Sequence, residues 1–163
     1  GCFGSETKDI LHSAIIMKNN GKQILVKNNE LNFSYRKSNL SESDIVLSAA
    51  FNFQKGDKYE IEKNLSDIKE KREASQPIKS KTSGSSFKNP IGHKAAKLIE
   101  VSGCKGLQIG DVAVSNKHGN FLINTNKATA RQIEDLGKLI IDKVYNKFQI
   151  ILEWEIKIVG EPN

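Results

Sequence analysis

The chain has 163 residues, 25 Lys and Arg against 19 Asp and Glu (formal net charge +6), and a hydrophobic share of 37% that 12 Gly bring near the usual apolar fraction. That is room for one ordinary domain or two small ones with a real core. No apolar run approaches the ~20 residues of a membrane span, which excludes a helical membrane protein, and no membrane partner is expected. Two cysteines, Cys2 and Cys104, are too few for a disulfide scaffold or a four-ligand zinc site, so a reducing cytoplasm is expected. Gly1-Cys2-Phe3-Gly4 lacks the basic and long apolar stretches of a signal peptide. A start on Gly without Met, inside a glycine-bearing loop, raises the expectation of a fragment.

Along the chain, Ala14–Met17 and Gln23–Val26 flank Asn19-Asn20-Gly21-Lys22, a hairpin signal because Asn-Gly accepts positive φ at both central turn positions. Residues 30–38 read as a short helical or irregular connection. Residues 44–54 alternate, with Ile45, Leu47, Ala49, Phe51 and Phe53 on one side, which predicts a half-buried strand. Asp57 can cap a helix in which Ile61, Leu65 and Ile68 fall at i, i+4 and i+7, ending near Arg72 or Glu73.

The composition then changes. Residues 76–90 are rich in Ser, Lys and Gly and almost without period, so they read as a linker with a domain boundary near Ala74. Beyond it, residues 94–102 predict a helix burying Ala95, Leu98 and Ile99, with Gly103 just past its end. Residues 112–115 and 121–124 predict two short strands joined by a Lys-His-Gly-Asn turn. Thr129 to Gln132 form a capping box, opening a long helix with the stripe Ile133, Leu136, Ile140, Val144 and Phe148. A last strand would carry Leu152, Trp154, Ile156 and Ile158 on one face and Glu153, Glu155 and Lys157 on the other. Strands interleaved with helices and an opening hairpin predict an α+β chain with mainly antiparallel pairing.

The excess of positive charge fits a solvated surface, nucleic acid or a phosphorylated small molecule. Its lysines are dispersed, and no basic segment carries the aromatic residues that stack bases. Chemistry is best represented in Thr82-Ser83-Gly84-Ser85-Ser86-Phe87-Lys88-Asn89-Pro90, where a flexible glycine, hydroxyls, a cation and an amide cluster. Such a loop can approach a phosphate or present a hydroxyl as a proton donor, although Ser/Gly/Lys loops are common. Glu153 and Glu155 would lie on the wet side of the last strand. Tyr35-Arg36 offers an aromatic and a planar fork for a carboxylate or phosphate, and His118 sits in a turn. No His/Cys/acid cluster has metal-ligand spacing, and no nucleophile elbow, phosphate-binding P-loop or dinucleotide fingerprint is present.

The order of these segments nevertheless resembles a known family. Phe33-Ser34-Tyr35-Arg36-Lys37-Ser38, Arg72 with Gln76-Pro77, the stretch from Ser83 to Pro90, Ala96 to Glu100, Gly103 to Gly106, Val114 to Phe121 and Leu152 to Ile156 are similar to the UDP-N-acetylenolpyruvoylglucosamine reductases. The resemblance covers nearly the whole chain, and Gly1 to Gly4 fits the loop that closes the family's flavin-binding half. It implies an FAD oxidoreductase of bacterial peptidoglycan synthesis, cytoplasmic, in which NADPH reduces the flavin and a hydride then reaches the enolpyruvyl double bond of a UDP-sugar. Residues 1–73 would end the second FAD-binding domain, and 74–163 would form the substrate-binding domain with its closing strand.

By the same resemblance, Ser85 is the proton donor. Arg36 holds the substrate carboxylate, and Glu155 assists at the same place as a hydrogen-bond donor. Tyr35, Asn89 and His118 contact the UDP-sugar, and Arg72 lies near the flavin phosphates. Ser86 fills a variable position, and Glu153 stays a surface carboxylate. The glycine-rich pyrophosphate segment is not in the chain, so the chain alone is expected to bind FAD poorly and not to turn over. No insertion separates Tyr35-Arg36 from the strand at Asp44, which implies the subtype without an extra tyrosine loop. The competing expectation is a non-catalytic basic module for RNA or another anionic polymer.

Overall fold

A computed structural model describes residues 3–160; Gly1 and Cys2 of the expected closing loop Gly1 to Gly4 lie outside them. The chain is α+β and divides into two compact units, with the boundary between Ile68 and Lys69. In order the elements are α1 (Thr7–Ile10), β1 (Leu11–Met17), β2 (Gln23–Lys27), a 3₁₀ turn (Asn28–Glu30), β3 (Ile45–Phe51), α2 (Lys58–Ser75), α3 (Ala95–Val101), β4 (Gln108–Ile109), β5 (Val112–Val114), β6 (Leu122–Asn124) and α4 (Ala130–Phe148).

The first unit is built on an antiparallel sheet in the order β2-β1-β3. The expected hairpin forms, with Met17 opposite Gln23. Its turn differs from the expected form: Gly21 takes φ +78° while Asn20 does not take positive φ. The Gly21 N–H donates to Lys18 O (2.9 Å) and the Lys18 N–H to Lys22 O (2.9 Å), which is the loop of a type I turn closed by a left-handed residue. One glycine suffices here because the extra residue absorbs the strand twist.

Strand β3 forms where the alternation placed it, but neither of its faces is buried. Ile45, Val46, Leu47 and Phe51 are 41–53% exposed. Asp57 caps α2 by accepting the Glu60 N–H at 3.0 Å, as expected, and the helix runs two residues past Glu73. It too buries no residue, with Ile61 at 48% and Leu65 at 62% exposure. Their apolar patterns are thus real but unsatisfied, and among the described residues the unit's buried hydrophobic side chains are those of Leu11, Ala14, Ile16 and Leu31.

The second unit packs α3 and α4 against the antiparallel sheet β4-β5-β6. Ala95, Leu98 and Ile99 are buried as the sequence predicts. Gly103, at φ +70°, ends α3: its N–H reaches Glu100 O (3.0 Å) and the Cys104 N–H reaches Ile99 O (3.1 Å). These two bonds satisfy carbonyls that the last helical turn would otherwise orphan, and buried Cys104 closes the apolar contact. The capping box of α4 is complete. Thr129 Oγ1 accepts the Gln132 N–H (3.2 Å) and Gln132 Oε1 accepts the Thr129 N–H (3.1 Å). Leu136, Ile140 and Val144 of its stripe are buried, with Gly137 beside them.

Two expectations fail in this unit, for one reason. The linker-like stretch is not a linker: Ser86 and Phe87 are 0% and 2% exposed, and Lys81, Ser85 and Phe87 bridge to Asn124, Phe121 and Trp154. The last segment is not a regular strand either, and its Trp154 makes an isolated bridge to Phe87. Each segment takes its order from the other and from the β5–β6 turn, so neither carries a self-sufficient pattern.

Candidate functional site

The Ser/Gly/Lys stretch becomes a short extended segment held from both sides. On one side the Glu155 N–H donates to Ser86 O and the Lys88 N–H to Glu153 O, both at 2.8 Å. These bonds set Glu155 across from Ser86, next to Ser85. On the other side Ser85 bridges to Phe121, and the Ser86 N–H donates to Asn120 O at 2.8 Å. Phe87 points into the core and stacks on Trp154, with ring centroids 4.6 Å apart and planes at 27°. Gly84, at φ +92°, lets the chain enter the segment where a side chain would be strained.

Space for the indole comes from α4. A Cβ on Gly137 would lie 1.9 Å from Trp154 Cη2, so only glycine admits the ring at that turn. Ser85 is half-buried, whereas the neighbouring Ser86 Oγ is enclosed and has no hydrogen-bond partner. Of this pair, Ser85 is the hydroxyl with access to a ligand. Lys88 Nζ pairs with Glu153 Oε2 at 3.2 Å, which occupies Glu153 as a surface ion pair.

His118 and Asn89 belong to the same unit. The His118 Nδ1 accepts the Asn120 N–H (3.3 Å), so the neutral ring carries its proton on Nε2. The ring meets Phe121 edge-on at 4.7 Å, and partial burial lowers its pKa from the usual histidine value. His118 is therefore tied to the bridge partner of Ser85. Asn89 Oδ1 accepts the Ala95 N–H (2.9 Å), spanning the Pro90–Lys94 loop to the start of α3. That bond gives Asn89 a fold-building role that the sequence did not signal.

Arg72 lies in the last turn of α2, exposed, with Nε donating to Gln76 Oε1 at 3.3 Å. Tyr35 and Arg36 belong to the first unit, at the tip of a two-residue loop. Ser34 and Lys37 exchange both backbone hydrogen bonds across it, at 3.0 and 3.1 Å. Arg36 takes φ +59°, a left-handed conformation that costs a non-glycine residue about 1–2 kcal/mol. Its Cζ lies 5.3 Å from the Tyr35 ring centroid. A two-residue loop this tight requires positive φ near its centre, so the turn itself accounts for the conformation of Arg36.

The structure thus joins Ser85 and Glu155 in one ladder, sets His118 against it through Phe121, and carries Tyr35 and Arg36 on the other unit. One residue of this frame escaped the sequence reading: Asn120, 4% exposed, whose amide grips Phe87. Its signal was a polar residue beside the apolar pair Phe121 and Leu122, both buried. Among the described residues no group of His, Cys, Asp and Glu could hold a metal ion, and no helix is long and apolar enough to cross a membrane.

Comparison with known proteins agrees with this architecture. Residues 76–159 match the family model described as "UDP-N-acetylenolpyruvoylglucosamine reductase, C-terminal domain". The chain is 44% identical over 162 residues to the UDP-N-acetylenolpyruvoylglucosamine reductase of Novosphingobium aromaticivorans, covering 99% of this chain and 54% of the relative. It is 43% identical to the protein of the same name from Clostridium novyi, covering 99% of this chain and 53% of that one. Among solved structures, that of the UDP-N-acetylenolpyruvylglucosamine reductase from Thermus caldophilus superposes with a TM-score of 0.82 at 34% identity, over 95% of this chain and 56% of the other. The chain spans about half the length of the curated relatives it matches. On these grounds the chain belongs to the UDP-N-acetylenolpyruvoylglucosamine reductase family, whose C-terminal domain is represented by residues 76–159.

Proposed function

We propose that this chain supplies the substrate-handling part of an FAD- and NADPH-dependent oxidoreductase. That enzyme reduces the enolpyruvyl ether of a UDP-N-acetylglucosamine derivative to UDP-N-acetylmuramate, in the bacterial cytoplasm, for peptidoglycan synthesis. The observation that carries the reading is the ladder joining the Ser85 segment to Glu155, with the Glu155 N–H on Ser86 O at 2.8 Å. In this reading residues 1–73 end a flavin-binding domain and 74–163 form the substrate domain. The uncovered apolar faces of β3 and α2 in the first unit support a further segment of the same protein as their cover.

When bound, the reduced flavin supplies the hydride. The remaining work is done by residues of this chain. A hydride added to the terminal carbon of the enolpyruvyl group pushes the π electrons toward the carboxylate, giving an enolate. The Arg36 guanidinium holds that carboxylate and stabilises the growing charge by a charge-assisted bond. Ser85 delivers its hydroxyl proton to the carbon beside the carboxylate, completing the saturated lactyl ether. A serine hydroxyl is a weak acid, so it serves only toward a strongly basic enolate held in tight geometry. Glu155 assists at the same locus. Tyr35, Asn89 and His118 contact the UDP-sugar. Arg72, exposed on α2, is the cation that would meet the flavin phosphates.

The test is Ser85→Ala in the protein carried with its flavin-binding half. Flavin bleaching by NADPH is expected at the unaltered rate, while reoxidation by the enolpyruvyl substrate nearly vanishes. Loss of both steps together would remove Ser85 from the proton-donor role. A full-length protein that binds no flavin, or steep salt-dependent binding of generic RNA without preference for a UDP-sugar, would favour a basic binding module instead.

A further inference from the structure

We propose that Asn120 is a positioning residue for the Ser85 hydroxyl, acting through the backbone of Phe87; the proposal rests on the role given to Ser85 above. The segment from Ser85 to Lys88 is the middle line of a three-line ladder. Residues 153–155 supply one neighbour from Ser86 to Lys88, but the other neighbour stops. Just before Phe121 the chain is in a turn, with the Phe121 N–H bonded to His118 O at 3.1 Å, so no strand backbone lies there to pair with Phe87. The Asn120 side chain takes that place. Its Oδ1 accepts the Phe87 N–H at 2.9 Å, and its Nδ2 donates to Phe87 O at 2.8 Å. Its own carbonyl accepts the Ser86 N–H at 2.8 Å, so one residue makes three bonds to two consecutive residues following Ser85.

A carboxamide fits because it is a peptide group in miniature: planar, with one acceptor and donors at the spacing of a strand neighbour. Aspartate keeps the acceptor and loses the donor, leaving Phe87 O unpaired and adding a charge at a buried position. Leucine or serine cannot bridge both groups. His118 Nδ1 in turn accepts the Asn120 N–H at 3.3 Å, and the Phe87 ring is locked on Trp154. With its C-terminal neighbours pinned this way, Ser85 is held against a hinge at Gly84. A displacement of about 1 Å in a reacting group costs on the order of 100-fold in rate, so the grip is felt at the proton-transfer step.

The experiment uses the full-length holoprotein with Asn120→Asp, and Asn120→Ser should the first variant not fold. Rates are taken well below each variant's measured melting temperature. The expected result is an unaltered rate of flavin reduction by NADPH, a fall of about 10- to 100-fold in kcat for the enolpyruvyl substrate, and KM within about threefold. The solvent deuterium isotope effect on flavin reoxidation should also rise, because the proton now arrives late. A variant with a lowered melting temperature but unaltered kcat and isotope effect would show Asn120 to be structural only and overturn the proposal. So would equal losses in both half-reactions. If the unaltered protein itself fails to reduce the substrate, the reading of Ser85 falls; if it succeeds and both variants match it, only the assignment of Asn120 falls.

Discussion

Gly137→Ala gives the sharpest test of how the second unit holds its site. In an ordinary helix interior the change would stabilise by about 1 kcal/mol, since alanine loses less backbone freedom. Here the added Cβ would lie 1.9 Å from Trp154 Cη2, 2.3 Å from Cζ2 and 3.1 Å from Cζ3. Carbon atoms rest at roughly 3.5–4.0 Å, so the indole must retreat by about 1.5 Å or more. Overpacking of a filled core costs about 1–3 kcal/mol. Loosening the stack on Phe87, now at 4.6 Å between centroids, forfeits about 0.5–1.5 kcal/mol more. Set against the helix gain, the net loss is about 2 kcal/mol, or on the order of 4–8 °C in Tm for a chain of this size. Thermal melting followed by circular dichroism gives the Tm. The fluorescence of Trp154, the chain's one tryptophan, reports the displaced ring directly. Lys138→Ala, at the exposed neighbouring position, is the control. A Tm that rises with unaltered tryptophan emission would mean that the indole does not lie over Gly137, and the account of how Phe87 is held would fall with it.

Thr129→Ala removes the side-chain acceptor of the Gln132 N–H and breaks the α4 capping box, with an expected loss of about 1 kcal/mol read from chemical denaturation. A loss under a few tenths would show that the turn after β6 holds the helix start without the cap. The pKa of His118 is lowered chiefly by burial, so the unfolded chain takes up its proton at higher pH than the folded one. The stability that neutral His118 contributes is complete above the ordinary histidine value of about 6.5 and declines as pH falls through the lowered one. Melting of the chain against His118→Gln from pH 8 to pH 5 should therefore show a steeper fall for the unaltered protein. Parallel curves would place the ring in open solvent.

Short-range features were legible because their causes lie within a few residues. The Asn-Gly hairpin, the Asp57 and Thr129 caps, the Gly103 helix stop and the buried faces of α3 and α4 each follow from spacing and from one or two special residues. Even there, the turn type at Gly21 depended on how the strands twist rather than on the dipeptide. The family pattern in Ser83 to Pro90 named the candidate residues, yet it could not say what holds them. That stretch lacks periodicity because its order comes from Asn120, 33 residues beyond Phe87, and from Glu153 across a separation of 65 residues from Lys88.

The same division runs through the whole protein. By itself the sequence determined an α+β chain, the helices α2 to α4, the Asp57 and Thr129 caps, the opening hairpin and the family it belongs to. Tertiary structure alone decided that a serine-rich stretch is a pinned extended segment rather than a linker. It also turned the expected last strand into a single bridge at Trp154, and set Arg36 left-handed at an exposed loop tip. Local signals arise from dihedral preferences and side-chain spacing that each residue carries with it. A ladder closed by a distant amide, and a ring admitted by a glycine on another helix, exist only once those segments have met.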